Sequence, residues 1–589
     1  MKVLILHPED GFTLGTSGNN YDLVVDLGRA PLGTYENWRR QSGYQVISLF
    51  DFAEESEDFN RARFLTTLGA KSLVDRLGID WWPMLLPEIV PRIGQQLLVY
   101  RLSQHINTEC EIYSSRSDYR SAALHYLLGG RLINLEGSLQ TLVRRFRHYS
   151  QLATDFEAGQ ILQIAQDKFD RERFIRRRFG RRARGSSRPK ILLPSAYTSV
   201  SRTALAYAKL FPDEQFLLVC ARDNAKLRGL PANVQMKSLD PYFSAPDASE
   251  MSFLSERWEA LRTRLIDSAQ EYKSGAAIGL FDRIPSLLHW EITIRDAWKR
   301  VFDSENIRSC FSADHTNPYT RIPLLLARHA GIPAVACHHG ALDSWMAIAT
   351  HDADCYVAKN EMERDWMTRV CGIDTPKVLQ VAPAHSVESF SRAGDSELVP
   401  GLDPPEKRWL VLFTEPYGLG LWRMEDVYRE LLPPLCALAE RCGLKLVFKL
   451  HPFESERGHR NLLGRLLPRE KVRGIGIITG PIPDELWRNT QIALTVQSSV
   501  ALECAARGIP IFLCGWLGDS VPDYIQQYQR FGVGHVLENV VQIRDIPDIL
   551  ESAPSLVDAR HDPPSPVFAT EALRELLLGL VPVPVAAKG

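Results

Sequence analysis

Short apolar runs alternate with amphipathic stretches along most of the chain. An apolar run of about five residues has the length of a buried strand, and an amphipathic stretch after it is typical of a helix that covers a sheet. The alternation recurs in three blocks. It predicts three modules of parallel sheet and helix, and an α/β fold class.

The first block covers residues 1–170 and the segment 171–190 follows it. That segment carries ten basic residues and one acidic residue and ends in Gly-Ser-Ser-Arg-Pro-Lys. The composition predicts a helix end that runs into a solvated linker, with an anionic acceptor or the inner membrane leaflet as an alternative contact. The strands predicted in the first block are Lys2–Leu6, Asp22–Val25, Gln45–Leu49, Glu111–Tyr113 and Arg131–Asn134.

The second and third blocks cover 191–395 and 405–575, and a polar, Pro- and Gly-rich stretch at 391–407 predicts the linker between them. The third block has the clearest pattern, although Pro433-Pro434 predicts an interruption in its first long helix. The strands predicted in these two blocks are 190–194, 215–220, 309–311, 332–337, 354–357, 408–414, 444–452, 474–480, 491–499 and 509–515.

Composition narrows the function classes. With 589 residues the chain is too long for one hydrophobic core, which fits several domains. The 69 Lys and Arg residues nearly balance the 71 Asp and Glu residues, so net charge gives no argument for nucleic acid as a partner. Ten scattered cysteines without CxxC spacing favour a reducing compartment over disulfides or a zinc site. Because neither a signal peptide nor an apolar run of roughly 20 residues is found, we expect a cytoplasmic protein.

Ligands of open parallel sheets bind at the carboxyl ends of the strands, so polar residues there are candidate site residues. The third block offers Lys449, His451 and Pro452 at the end of one strand. A histidine at this point can hydrogen-bond a phosphate or a ribose, and the proline ends the strand. A His-Pro pair is equally expected in a simple turn.

A second candidate in the same block is the junction where a strand ends at Ser498-Ser499 and a helix begins. Either serine is placed to cap the helix, and a helix start favours an anion such as a nucleotide phosphate. Glu503 follows one turn later, where a carboxylate can bind ribose hydroxyls. An ordinary capped helix that binds nothing explains the same pattern.

The second block offers His338-His339-Gly340 after its strand at 332–337, and Asp314 after an earlier strand. An imidazole or a carboxylate at such a position can act as a general base toward an acceptor hydroxyl. Adjacent histidines rarely chelate one ion, so zinc is disfavoured. Glu415, which ends the first strand of the third block, is a further candidate for contact with donor or acceptor. A helix-capping Asp314 and a plain polar strand end remain as alternatives.

Together these motifs resemble the GT-B glycosyltransferases of bacterial surface polysaccharides. Capsule Kdo transferases and polysialyltransferases share a His-Pro motif followed by a Ser-Ser motif, here His451-Pro452 and Ser498-Ser499. The CDP-glycerol glycerophosphotransferases have a similar pair and an earlier His-Gly motif, here His339-Gly340. The likeness covers residues 310–515 and leaves the first block unexplained. The acidic-acidic-Gly motif of the sialyl enzymes has only Glu9-Asp10-Gly11 as a counterpart, which is also the pattern of a plain turn.

The resemblance implies two facing Rossmann-like domains with an additional N-terminal α/β domain. It implies nucleotide binding by Lys449, His451, Pro452, Ser498, Ser499 and Glu503, and catalysis by Asp314, His339 and Glu415. It also implies a metal-independent transfer from a nucleotide-sugar donor, most simply a CMP-sugar, to a glycan or lipid-linked acceptor, with no cofactor. A CDP-glycerol-type polyol-phosphate transferase, a nucleotide-sugar epimerase and a non-catalytic nucleotide-binding scaffold remain as alternatives.

Overall fold

A computed structural model gives the fold. It describes residues 1–8, 10, 20–54, 57–115, 118–135, 188–221, 230–244, 247–314, 316–340, 342, 345–350, 353–383, 408–417, 422–518, 524–552 and 567–580. The predicted basic linker up to residue 187 and the predicted linker at 391–407 lie outside the described residues.

The first sheet is parallel and has the strand order β3-β2-β1-β4-β5. Its central strand β1 is buried at four of five positions, as its apolar run predicts. The strands are β1 Lys2–Leu6, β2 Leu23–Asp26, β3 Gln45–Ser48, β4 Cys110–Ser114 and β5 Gly130–Asn134. The helices are α1 Leu32–Ser42, α2 Glu57–Gly69, α3 Trp82–Ile106 and α4 Tyr119–Leu128.

The second sheet is also parallel, in the order β12-β11-β10-β9-β6-β7-β8. Its strands are β6 Lys190–Ser195, β7 Phe216–Cys220, β8 Val234–Ser238, β9 Ile307–Ser312, β10 Ala334–Cys337, β11 Cys355–Ala358 and β12 Val378–Gln380. Its helices are α5 Thr198–Ala208, α6 Ala248–Ser268, α7 Gln270–Ala277, α8 Ile284–Ser304, α9 Pro318–His329, α10 Trp345–Ala349 and α11 Glu361–Asp365, the last continued by a π-helix, Trp366–Val370.

The third sheet has the order β15-β14-β13-β16-β17-β18. Its strands are β13 Trp409–Phe413, β14 Lys445–Lys449, β15 Gly476–Ile478, β16 Thr490–Thr495, β17 Ile511–Cys514 and β18 His535–Leu537. The helices of this part are α12 Met424–Cys442, α13 Glu456–Leu466, α14 Arg469–Gly474, α15 Asp484–Asn489, α16 Val500–Ala506, α17 Gln526–Arg530, α18 Ile546–Ser552 and α19 Val567–Leu577.

One predicted interruption is wrong. Helix α12 runs unbroken through Pro433 and Pro434. Each proline removes a backbone donor, but the apolar face of the helix is buried on both sides of the pair, at Leu431 and Leu435 among others. Burial of roughly 1.5–3 kcal/mol per side chain outweighs the lost hydrogen bonds.

Helix α19 packs on the second sheet, although most of its sequence belongs to the predicted 405–575 block. Leu573, Leu576 and Leu577 are buried in the same cluster as the strands β6 and β9. The Ser309 hydroxyl donates to the Leu577 carbonyl at 2.7 Å. The last helix therefore links the third domain back to the second.

The predicted fold class is confirmed: the described residues form three parallel α/β sheets, with contacts between the second and third at the carboxyl ends of their strands. This is the GT-B arrangement with an additional N-terminal domain. Among the described residues no helix is long and apolar enough to cross a membrane.

Candidate active site between the second and third sheets

Each sheet has a point where the direction of strand succession reverses, and in open α/β sheets ligands bind in the crevice there. In the second sheet this point lies between β6 and β9. Tyr197 follows β6, Asp314 follows β9, and His338 and His339 follow the neighbouring β10. The structure therefore brings together Asp314 and His339, which the sequence analysis named, and adds Tyr197, which it did not.

The Asp314 carboxylate is fully buried and saturated with hydrogen bonds. Its Oδ1 accepts from the Thr316 amide and hydroxyl at 2.9 and 2.7 Å. Its Oδ2 accepts from the Tyr197 hydroxyl at 3.2 Å. The Thr320 hydroxyl lies 3.3 Å from Oδ2 and donates at the shorter distance of 2.8 Å to the Asn317 carbonyl. With these bonds and 0% exposure, Asp314 is placed to orient and polarise its neighbours.

His339 and Tyr197 are the partly exposed members of this cluster. The His339 ring meets the Tyr197 ring edge-on, with centroids 5.4 Å apart. Burial lowers its pKa, against an opposing effect of the Asp314 charge, so the imidazole is neutral at pH 7. Its Nδ1 is shielded from water, and the Ala313 backbone makes a hydrogen bond with the ring. A neutral imidazole that is partly exposed has the chemistry of a general base.

Lys359 fixes the turn that carries the histidines. Its ammonium donates to the carbonyls of His338 and Gly340 at 2.9 and 3.0 Å and forms an ion pair with Glu363 at 3.0 Å. A Cβ on Gly340 would meet only ordinary contacts, so backbone geometry does not demand glycine there. Lys359 stands 20 residues after His339, behind the strand β11, so the His-His-Gly motif gave no indication of it.

Asp314, His338 and His339 also offer ligand atoms within 4.8 Å of one another, a combination that can hold a divalent cation. The His338 Nδ1 lies 4.0 Å from the Asp314 carboxylate. A cation that took Asp314 as a ligand would have to replace at least one of the hydrogen bonds from Thr316 and Tyr197. The geometry therefore favours a hydrogen-bonded cluster.

In the third sheet the reversal lies between β13 and β16, and His451 follows the strand β14 beside them. The His451 amide donates to the Glu454 carboxylate and the Thr414 hydroxyl, each at 3.0 Å, and the Thr414 hydroxyl also bonds Glu454. Burial and the Lys449 charge lower the His451 pKa to about 4. Glu454 and Thr414 thus hold the backbone of the loop, and the neutral His451 ring is partly exposed.

The other predicted residues of this loop are less open. Lys449 is buried and donates to the Leu450 carbonyl at 2.8 Å, and burial lowers its pKa. Its charge acts from beneath the loop. Pro452 is exposed, and Glu415 is partly buried beside Tyr417 and Tyr428, on the third domain and apart from the Asp314 cluster.

The Ser498-Ser499 turn follows β16, and both serines are partly exposed. The Ser498 hydroxyl accepts weakly from the Val500 amide at 3.4 Å, and Ser499 makes no side-chain cap. Helix α16 has only seven residues. The exposed hydroxyls, more than a helix dipole, are what this turn offers a ligand.

Glu503 connects this turn to the second domain. Solvent reaches 49% of its side chain, and burial by the surrounding residues raises its pKa. The Lys359 ammonium of the second domain acts on the Glu503 charge. A direct bond also crosses the interface, from the Leu342 amide to the Tyr524 hydroxyl at 2.6 Å. The base cluster and the Ser-Ser turn therefore border the same cleft.

The segment Glu9-Asp10-Gly11 is the first-domain counterpart of the acidic motif of the sialyl enzymes. Only its Asp10 is among the described residues. Asp10 is buried and accepts from the His7 amide at 2.9 Å and the Ser115 hydroxyl at 2.7 Å. It is a structural acceptor within the first sheet.

No protein-family model and no curated protein matches the sequence. Solved structures do resemble the fold. A UDP-GlcNAc 2-epimerase from Neisseria meningitidis, bound to UDP-GlcNAc, aligns with a TM-score of 0.43 and 12% identity over 66% of this chain and 100% of its own. The wall teichoic acid polymerase TagF aligns with a TM-score of 0.35 and 12% identity over 75% of this chain and 98% of its own.

Proposed function

We propose that the chain is a glycosyltransferase that moves a sugar from a nucleotide-activated donor, most simply a CMP-sugar, to a hydroxyl of a surface-polysaccharide or lipid-linked acceptor. The observation that carries the proposal is the cleft: a neutral His339 in a buried hydrogen-bonded cluster on one wall, and the His451 and Ser498–Ser499 loops on the other. The His-Pro and Ser-Ser motifs favour cytidine donors.

The third domain supplies the donor site. The His451 ring and the exposed hydroxyls of Ser498 and Ser499 are hydrogen-bond donors for the nucleotide phosphate, and the buried Lys449 adds positive charge beneath the loop. Glu503 at the cleft wall is placed to accept from ribose hydroxyls. These groups stabilise the negative charge that develops on the departing phosphate.

The second domain supplies the base. The acceptor oxygen bonds to the anomeric carbon, its proton passes to His339, and the bond between that carbon and the phosphate oxygen breaks with its electron pair leaving on the nucleotide. The buried Asp314 carboxylate stabilises the imidazolium that forms. No cofactor is required for this step.

A polyol-phosphate transfer of the CDP-glycerol type is the second candidate, and the His339-Gly340 turn favours it. The same base would then activate a hydroxyl that attacks phosphorus, and CMP would leave. An epimerase would need no acceptor, and a scaffold would bind nucleotide without turnover.

The first test is thermal stabilisation by CMP, CDP, UDP, GDP and ADP. We expect a selective shift with CMP that His451→Ala abolishes. His535→Ala is the matched control, because this partly buried histidine lies in the same sheet at the start of β18. A shift with UDP or GDP alone would overturn the cytidine assignment, and no shift with any of the five nucleotides would overturn nucleotide binding, for the transferase and the scaffold alike.

The second test separates binding from chemistry. We expect His339→Gln to retain the CMP shift and to lose about 10²–10⁴-fold in turnover, the usual contribution of a general base. Products are identified by mass spectrometry, which distinguishes a transferred sugar from a transferred polyol phosphate or an epimerised donor. Turnover that EDTA abolishes and Mn²⁺ or Zn²⁺ restores would instead assign a cation to the Asp314 cluster.

A further inference from the structure

Two buried tyrosines connect the two walls of the cleft. The Leu342 amide, two residues beyond the His338–Gly340 turn, donates to the Tyr524 hydroxyl at 2.6 Å. The Tyr528 hydroxyl donates to the Gln497 carbonyl at 3.3 Å, directly before Ser498. The two tyrosine hydroxyls lie 3.5 Å apart. A series of polar contacts therefore runs from Leu342, two residues after the turn that carries His339, to Gln497, which precedes the Ser498-Ser499 turn.

The series of contacts has one direction. A tyrosine hydroxyl carries a single proton, and that of Tyr528 is used on the Gln497 carbonyl. The proton between the two hydroxyls must therefore come from Tyr524, whose oxygen accepts from Leu342. A movement at either end changes the partner of the next hydroxyl.

The surrounding contacts hold this pair across the domain interface. Tyr524 and Tyr528 are 1% and 0% exposed, and their rings meet edge-on. Trp366 of the second domain packs edge-on against Tyr524, with centroids 4.9 Å apart. Arg530, the last residue of helix α17, bonds Asp365 of the second domain. The segment 524–530 thus belongs to the third domain and contacts the second through Tyr524 and Arg530.

We propose that Tyr524 and Tyr528 are positioning residues that couple the Gln497–Ser499 turn to the turn of His339, so that a nucleotide bound at the first sets the geometry of the second. The proposal rests on the proposed function and names how its two half-sites communicate. Neither hydroxyl touches donor or acceptor. Their effect is expected in kcat, because they orient the base, and much less in nucleotide affinity.

Kinetics of Tyr524→Phe, Tyr528→Phe and the double variant test this. Each single change should lower kcat about 10-fold or more, leave the Kd of CMP within about twofold, and add little in the double variant, because the hydroxyls act in series. Tyr242→Phe is the matched control: its buried hydroxyl bonds Glu305, which precedes the amino end of β9, whereas the candidate site lies at the carboxyl ends of the strands. Additive losses, or equal losses in kcat and CMP affinity, would overturn the proposal.

Hydrogen exchange followed by mass spectrometry keeps the proposal testable should turnover fail. Tyr524→Phe removes the partner of the Leu342 amide, so exchange should rise in peptides that contain Leu342. Tyr528→Phe touches neither that amide nor its turn, yet the proposal requires it to raise exchange there as well. A rise with Tyr524→Phe alone would sink the coupling and leave the proposed function intact, whereas absent CMP binding and turnover in the wild type would sink the proposed function.

Discussion

At the scale of single residues, the candidate site depends on groups that hold the reactive ones. His451 follows the strand β14, and its partly exposed ring is the proposed ligand contact. The Glu454 carboxylate and the Thr414 hydroxyl accept hydrogen bonds from its backbone amide. Asp314 acts on His339 through its charge and bonds the Tyr197 hydroxyl, whose ring packs against His339. Removal of the supporting group should therefore be felt at the exposed one.

Glu454 gives a prediction about stability and pH. Burial raises its pKa to about 7, against the opposing hydrogen bond from Thr414. The unfolded carboxyl ionises near about 4.3. Between these values the native state keeps a proton that the unfolded chain has lost, so stability present below about pH 4 is lost as the pH rises through 7.

Glu454→Gln cannot ionise and should not show this loss. The free energy of unfolding of the variant minus that of the wild type should be higher at pH 8 than at pH 5. We expect an increase of about 1–3 kcal/mol, since one pKa unit corresponds to about 1.4 kcal/mol. Urea unfolding at the two pH values measures the difference. Parallel pH profiles for the two proteins would contradict the assignment.

At the scale of elements, the sequence was informative where strands are central. The apolar runs predicted β1, β6 and β13 close to their observed bounds, because these strands are buried on both faces. The strand predicted at 491–499 corresponds to β16, which ends at Thr495. The edge strand β8 was not predicted, since its exposed positions give it the sequence VQMKS. His339 and His451 were found because each directly follows a predictable strand.

The supporting residues could not be found in this way. Tyr197, Lys359 and Glu454 lie beside the strand ends only after folding, and nothing in their local sequence distinguishes them from surface residues. The same holds for Tyr524, whose partner Leu342 stands 182 residues away. Long-range contacts decide these roles, and hydrophobic periodicity carries no information on them.

Helix α19 offers a test at this scale, because it follows the third domain in sequence and packs on the second. Leu573→Ala should destabilise the protein by about 2–5 kcal/mol through the lost burial and the cavity left behind. Leu580→Ala is the matched control, since that side chain is 69% exposed. The loss should appear in exchange of peptides from β6 and β9, and a loss confined to peptides of β13 to β18 would contradict this packing.

At the scale of the whole molecule, the three sheets share one topology but not one role. In the first sheet the reversal lies between β1 and β4, where a ligand crevice is expected. Arg423, the residue before α12, lies beside it at the carboxyl ends of β1 and β2. Its guanidinium bonds the Asp26 carboxylate at 2.5 Å, the His7 carbonyl at 2.7 Å and the Pro8 carbonyl at 3.0 Å. The first domain therefore contacts the third at the carboxyl ends of its strands, where the other two sheets present their candidate site.

Removal of this side chain should uncouple the two domains. Arg423→Met leaves the fully buried Asp26 charge without its cation, which typically costs about 3–5 kcal/mol. Asp26→Asn in the same chain should restore part of that loss, because the amide needs no counter-charge. Arg460→Met is the control, as its ion pair with Glu456 in α13 is exposed and is worth less than about 1 kcal/mol. Hydrogen exchange should then show β1 and β2 opening independently of β13, whereas joint opening in wild type and Arg423→Met alike would show that other contacts tie the domains.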